Sequence, residues 1–201
     1  MSVITTLIPS QSFELIRDRL GLIIADELHN QSLLDNGNPD IDANVFVERL
    51  IPIDHSEMPL VNVMLAKGVY DSHTQTQSDG TYTYHLDFYT KAKSKNNEEG
   101  DKLAVLKLHR LIGIGRAIIS DYRYNTLAFV PPFVMSVKVT EVNIADPGNQ
   151  DSVSSCMGRL TVVVKAPEHS QLKEPVTIGN FHTQIKLVET DKGYFYAKPE
   201  E

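Results

Sequence analysis

Residues 81–89 read Thr-Tyr-Thr-Tyr-His-Leu-Asp-Phe-Tyr, and this stretch decides the class of fold. Large apolar side chains alternate with mostly polar ones, which is the period of a β-strand that buries one face. The side chains expected to share the apolar face are Tyr82, Tyr84, Leu86 and Phe88. The chain therefore contains a half-buried strand, and the elements on either side can be placed relative to it.

Two helices are predicted, one before this strand and one after it. Between residues 13 and 28, apolar side chains recur at steps of three and four, and Ser10 or Ser12 is expected to cap the helix. A second stripe covers residues 101–120 and is wider than a one-sided surface helix needs. Both patterns indicate helices that pack on a sheet.

The other elements are less regular. Further strands are predicted at residues 45–53, 60–67, 137–144 and 157–165, and polar loops at 71–80 and 145–155. The strand at 60–67 is apolar on both faces, which indicates cover on both sides or burial by a neighbouring subunit. The apolar positions change parity between Val139 and Val142, which predicts a β-bulge near Thr140 and Glu141.

The order of elements is α, β, β, β, α, β, β, followed by a β-hairpin within residues 181–196. This order predicts an α+β fold, with a mainly antiparallel sheet and two helices packed on one of its faces. We expect this domain to occupy residues 1–170 and the hairpin to form an extension over residues 171–201.

Composition excludes several classes of protein. The chain has 201 residues, a net charge of −7 and a single cysteine, Cys156, so a disulfide scaffold or a multi-cysteine zinc site is excluded. Tight nucleic-acid binding is disfavoured because it needs a surplus of Lys and Arg. No apolar run is long enough for a bilayer, and residues 1–7 lack the basic region of a signal peptide, so we expect synthesis in a cytoplasm without export.

Side chains that could carry chemistry are few. His85 and Asp87 share one face of the strand, but an acid–base dyad also needs a third partner and a pocket. Gly113 and Gly115 lie within a helical stripe, which favours close packing on the sheet over a dinucleotide loop. Cys156 has no histidine placed beside it and is expected to be a buried thiol. No catalytic, cofactor-binding or metal-binding residue is predicted.

Several segments, in their order and spacing, carry a family resemblance. They are Phe46-Val-Glu-Arg-Leu-Ile, Met58-Pro-Leu-Val-Asn-Val-Met-Leu, Tyr82-Thr-Tyr-His-Leu-Asp-Phe-Tyr-Thr-Lys-Ala-Lys, the helix at 101–120, and Met157-Gly-Arg-Leu-Thr-Val-Val-Val-Lys. Together they resemble the tail terminator, or tail completion, proteins of long-tailed bacteriophages, the family of the phage lambda tail terminator. The resemblance covers residues 12–166.

The resemblance implies a structural protein of the virion tail, encoded by a phage or prophage and made in the host cytoplasm, and not an enzyme. Such proteins form a homo-oligomeric ring, commonly a hexamer, on the head-proximal end of the tail. The ring stops polymerisation of the major tail tube protein and presents a surface to the head connector or neck protein. DNA passes through without specific binding, no cofactor or membrane is involved, and a net negative charge suits such a channel.

Under this hypothesis, the two polar loops and the strand end at 91–95 are candidates for ring or tube contacts. The candidate contact residues are Lys91, Lys93, Lys95, His73, Tyr82, Tyr84, Asp146 and Asn149. The three lysines alternate along a strand, so they share one side and would meet an acidic partner.

Three alternatives remain open at this point. The chain would also suit a head–tail joining or neck protein of similar fold. A ligand-binding domain that dimerises through the terminal hairpin predicts a folded monomer when residues 176–201 are deleted. A small hydrolase that uses His85 and Asp87 predicts a defined pocket around that pair.

Overall fold

A computed structural model describes residues 7–50, 53–72, 77–93, 100–145, 148–150, 153–169, 187–190 and 193–196. The chain divides into two compact units, Met1–Ser170 and Gln171–Glu201. In the described part of the second unit, two strands pair antiparallel, Leu187 opposite Tyr196 and Thr190 opposite Gly193. The predicted hairpin positions Phe181, Thr183 and Ile185 lie outside the described residues.

The first unit contains a mixed set of helices and strands. In chain order they are α1 (Ser12–Leu34), β1 (Asn44–Val47), a 3-10 helix (His55–Glu57), β2 (Leu60–Ser72), β3 (Gln77–Lys93), α2 (Gly100–Ile119), a 3-10 helix (Tyr122–Tyr124), β4 (Ser136–Ile144), β5 (Gly148–Gln150) and β6 (Val153–His169). The sheet order is β1-β2-β3-β6-β4, and β5 also pairs with β6. Only the β1–β2 pair in this sheet is parallel, among the strands that the structure describes.

The central strand β3 shows the predicted alternation. The side chains of Tyr82, Tyr84, Leu86 and Phe88 are completely buried. They belong to one hydrophobic core with the buried residues of α1 and α2, so both helices pack on this face of the sheet. The predicted α+β class, with a mainly antiparallel sheet and both helices on one face, is confirmed.

Helix α1 begins one residue away from the predicted caps. Its N-cap is Gln11, and Ser12 is already the first helical residue. The backbone N–H of Gln11 donates to a carboxylate oxygen of Glu14 at 2.7 Å, which is half of a capping box. The prediction of Ser10 or Ser12 as the cap was therefore wrong, because the acid three residues further on supplies the bond.

Helix α2 approaches the sheet closely at one of its two glycines. A Cβ on Gly115 would lie 2.6 Å from the ring of Phe88, so only glycine fits there without a shift. Gly113 lies on the exposed side, and a Cβ there would meet nothing within 4 Å. The packing explanation is therefore confirmed for Gly115 and wrong for Gly113.

The strands are longer than the sequence predicted. Most of the predicted loop at 71–80 is strand, because β2 and β3 stay paired up to Ser72 and Ser78. The predicted loop at 145–155 contains β5, which pairs with the first residues of β6. The β-bulge is confirmed, because the β4–β6 register shifts between Val139 and Glu141. No helix among the described residues is long and apolar enough to cross a bilayer.

Candidate assembly surfaces

The lysine-rich strand end lies on the face of β3 that the two helices do not cover. Lys91 is half-buried and Lys93 is exposed at the end of the strand. Lys91 also lines a cleft of about 80 Å³ with Asp40 and Lys107, whose ammonium group lies 2.8 Å from the Asp40 carboxylate. The Lys107 cation at this cleft is therefore already paired, and an acidic partner for the strand-end lysines stays a prediction.

Four other candidate contacts lie outside the described residues or in the short strand β5. Lys95, His73 and Asp146 lie outside the described residues. Asn149 is in β5, where its backbone is opposite Ser154 of β6.

Tyr82 and Tyr84 are not surface residues, which corrects their place among the candidate contacts. Both side chains have no exposed area. The Tyr84 hydroxyl donates to the carbonyl oxygen of Phe13 at 2.8 Å, and the Tyr82 hydroxyl donates to Glu168. Burial raises the pKa of both phenols. Their alternation marked the core face of β3, so they stabilise the scaffold and do not contact a partner.

The opposite face of the sheet, which we call the open face, carries a buried ion pair. Asp87 of β3 is directly opposite Arg159 of β6, and the guanidinium donates to both carboxylate oxygens at 2.6 and 2.7 Å. The Asp87 side chain is 2% exposed and that of Arg159 is 34% exposed. The hydrogen bonds that Arg159 donates to Asp87 raise the pKa of its guanidinium, which therefore stays charged at neutral pH.

The same register row continues into β2. Asn62 is opposite Asp87, and its side-chain amide exchanges two hydrogen bonds with the backbone of Arg49. The carbonyl of Arg49 accepts at 2.9 Å and its N–H donates at 3.1 Å. These bonds hold the segment after β1 against the edge of the open face. They also satisfy the polar atoms of the Asn62 amide, which is why this polar side chain can be buried.

His85 does not form the dyad that the hydrolase alternative requires. It shares the open face with Asp87, but both Asp87 oxygens are bonded to Arg159. Partial burial, with a smaller contribution from the Arg159 charge, lowers the pKa of His85. The histidine is therefore neutral at pH 7, and its neighbouring carboxylate is already neutralised by another residue.

A second cleft lies between the two helices. Its volume is about 250 Å³, and Gly113 forms part of its wall. Glu27 on α1 accepts a hydrogen bond from the hydroxyl of Tyr124, and Asp121 holds Arg123 at 2.9 Å. The acids at this cleft are thus already paired within the chain, which leaves no obvious acid–base group there.

Cys156 is a buried thiol, as expected. Burial, with a smaller contribution from Asp101, raises the pKa of its thiol, so the reactive thiolate is scarce at neutral pH. Within the described residues, no group of three or more His, Cys, Asp or Glu side chains is placed to hold a metal ion.

Arg159 is the residue that sequence reasoning missed. It lies on the polar side of a strand whose other side is Leu160, Val162 and Val164, so its face could be read from the pattern. Its partner could not, because the register between β3 and β6 joins residues 72 positions apart.

Comparison with protein-family models finds no match, and comparison with characterised protein sequences finds no relative.

Proposed function

We propose that the chain is a structural protein of virus assembly, a tail terminator that forms a ring on the end of a bacteriophage tail tube. The observation that carries the proposal is the sheet itself. Its helix face is filled by α1 and α2, while no described strand pairs with the outer edge of β4 or with the outer edge of β2 beyond Leu65. Such a layout leaves large surfaces for neighbouring subunits.

The element order supports the same proposal. A helix, strands, a second helix and a closing pair of strands form one unit within residues 12–166, the span over which the sequence resembles tail terminators. The net charge of −7 also suits a ring around DNA, because a lumen that bound DNA would hinder its passage.

The capping mechanism follows from unequal surfaces. Subunits of a growing tube present the same interface at every layer. A ring that fits the tube on one side and offers a different surface on the other ends growth and leaves that second surface for a head connector. The exposed Lys93 at the end of β3 is the candidate tube-facing position among the described residues.

The first test is the mass of the full chain in solution, measured by light scattering over a concentration series with and without magnesium. A hexamer would have a mass of about 135 kDa, six times the 22.5 kDa chain. The second test adds the chain to polymerising tail tube protein and measures tube length. A closed dimer at every concentration, together with tubes of unchanged length, would contradict the proposal.

A charge reversal tests the tube contact separately. Lys93→Glu at the exposed strand end is expected to weaken capping, because it places an acid where the proposal requires a cation. Lys102→Glu, on the exposed side of α2, is the matched control and should cap like the native chain. Equal loss in both variants would point to net charge and not to this surface.

A further inference from the structure

Within the described ranges, no strand pairs with the outer edge of β2 along its second half, and we call such an unpaired side a free edge. β1 pairs only with Leu60–Val63, and the carboxylate of Glu48 then accepts the N–H of Leu65 at 2.8 Å. From Ala66 to Ser72, no residue of the described chain pairs with this edge, while the other side of β2 is paired with β3. A free edge of this length is a template for another strand.

The outer edge of β4 is the second free edge. Its nine residues pair with β6 on one side, and no described strand pairs with the other side. From Thr140 to Ile144 every side chain is exposed. The two free edges lie at opposite ends of the sheet order, so a single chain cannot join them to each other.

The directions of these edges suit joining between copies. Because β2, β3, β6 and β4 are successively antiparallel, β4 runs opposite to β2. When a second copy is placed head to tail, the β4 edge of one copy meets the β2 edge of the next as an antiparallel pair. This contact is heterologous and closes into a ring when the rotation between copies allows it.

The charges on the two edges are complementary in this arrangement. Lys67 and Asp71 on β2, and Lys138 and Glu141 on β4, are exposed and lie on the open face. In each strand the lysine precedes the acid. Antiparallel pairing reverses the order, so that each lysine comes near the acid of the other copy.

The β-bulge in β4 and the charges on both edges also disfavour pairing with an arbitrary strand, which favours a second copy as the partner.

We propose that copies of this chain join head to tail by antiparallel pairing of the β4 edge of one copy with residues 66–72 of the next. The proposal rests on the ring proposed above and specifies the joint that builds it. Two registers match the charges. With the bulge residue Thr140 left unpaired, one places Lys67 opposite Glu141 and Val69 opposite Lys138, and the other places Asp71 opposite Lys138 and Val69 opposite Glu141.

Paired cysteines distinguish these registers in the full chain. Val69→Cys is combined with Lys138→Cys for the first register and with Glu141→Cys for the second. Residues directly opposite in antiparallel strands bring their Cβ atoms close to the separation of a disulfide. The protein is oxidised at the concentration where light scattering gives its largest mass, and the products are separated under denaturing, non-reducing conditions.

The expected result is a ladder of multiples of the chain mass in one double variant, while the three single variants and the native chain stay monomeric on the gel. The native chain controls for Cys156, which is buried. Crosslinked dimers from a single variant would show that like edges pair, and would overturn the head-to-tail joint.

Different results would contradict the proposed edge pairing and the proposed ring. A large mass in solution with no crosslinking in either double variant would overturn the joint and leave the ring in place. A monomeric mass at every concentration, with no crosslinking, would overturn both. Reduction should return any ladder to the monomer band, and a ladder that survives reduction would show aggregation and overturn the assignment of the joint.

Discussion

At the scale of single residues, the Asp87–Arg159 pair is unequal in its exposure. Asp87 is nearly enclosed, whereas about a third of the Arg159 side chain reaches solvent. Loss of the arginine therefore leaves a buried carboxylate without its cation, while loss of the aspartate leaves a cation that water can partly reach. The two partners should not contribute equally when each is removed.

We predict that Arg159→Ala lowers the free energy of unfolding by about 3 kcal/mol, and Asp87→Ala by only about 1–2 kcal/mol. Urea denaturation at neutral pH measures both. Glu141→Ala, an exposed acid on the same face, is the control. A larger loss for Asp87→Ala than for Arg159→Ala would contradict this account.

The two glycines of α2 give a second residue-scale prediction. Gly115→Ala should destabilise the chain by about 1–3 kcal/mol, because its methyl group would overlap the Phe88 ring. Gly113→Ala faces open space and should stabilise the chain by about 0.5–1 kcal/mol through its better helix propensity. Thermal and urea unfolding of the matched pair measure both values.

Replacing Phe88 with a smaller side chain tests whether overlap with its aromatic ring causes the destabilisation. If overlap is the reason, Gly115→Ala should cost less in a Phe88→Leu background than in the native one. An equal cost in both backgrounds would show that the glycine is kept for another reason.

At the scale of elements, the connection after α2 contains two consecutive left-handed residues. Leu127 and Ala128 have φ values of 53° and 50°. Arg19 of α1 donates to the carbonyl oxygens of both, at 2.9 and 3.0 Å. These two bonds hold a backbone conformation that residues with a Cβ adopt reluctantly.

Ala128→Gly should therefore stabilise the chain by about 1 kcal/mol, because glycine has no penalty at positive φ. The same change at the exposed, helical Ala117 should destabilise it by about 1 kcal/mol. The opposite signs are measured by comparing the midpoints of denaturation. Destabilisation by both changes would show that the left-handed conformation carries no strain.

The strands also show which features of the fold the sequence pattern predicts. Alternation placed the core face of β3, and the change of parity placed the bulge beside Thr140, because both lie where one face of the sheet is buried. The end of β2 at 66–71 is exposed on both faces. Without a buried face there is no alternation to read, so polar strand and polar loop have the same sequence signature.

Pairing partners could not be read for a different reason. The ion pair on the open face and the bonds from Asn62 to Arg49 depend on register between distant segments. A pattern of period two fixes which face a side chain occupies, but it carries no information about which residue is opposite. The face of Arg159 was therefore predictable, and its role was not.

At the scale of the whole molecule, the two free edges are the features that a single copy leaves unpaired in the described chain. Edge pairing between copies would remove the free edges, which otherwise expose the chain to unspecific association. The charges at Asp71 and Lys138 then serve two purposes. They disfavour wrong partners, and they select the orientation of the right one.

Reversal of these charges gives the last prediction. Lys138→Glu alone and Asp71→Lys alone should each weaken association by roughly tenfold, because each turns an attraction of about 1 kcal/mol across the joint into a repulsion. The double variant restores opposite charges and should recover association, most clearly at low salt, where exposed charges are least screened. Light-scattering mass against concentration measures each step, with Lys102→Glu as the control for net charge. If the double variant associates as poorly as either single one, Asp71 is not opposite Lys138, and the register that places them opposite each other is excluded.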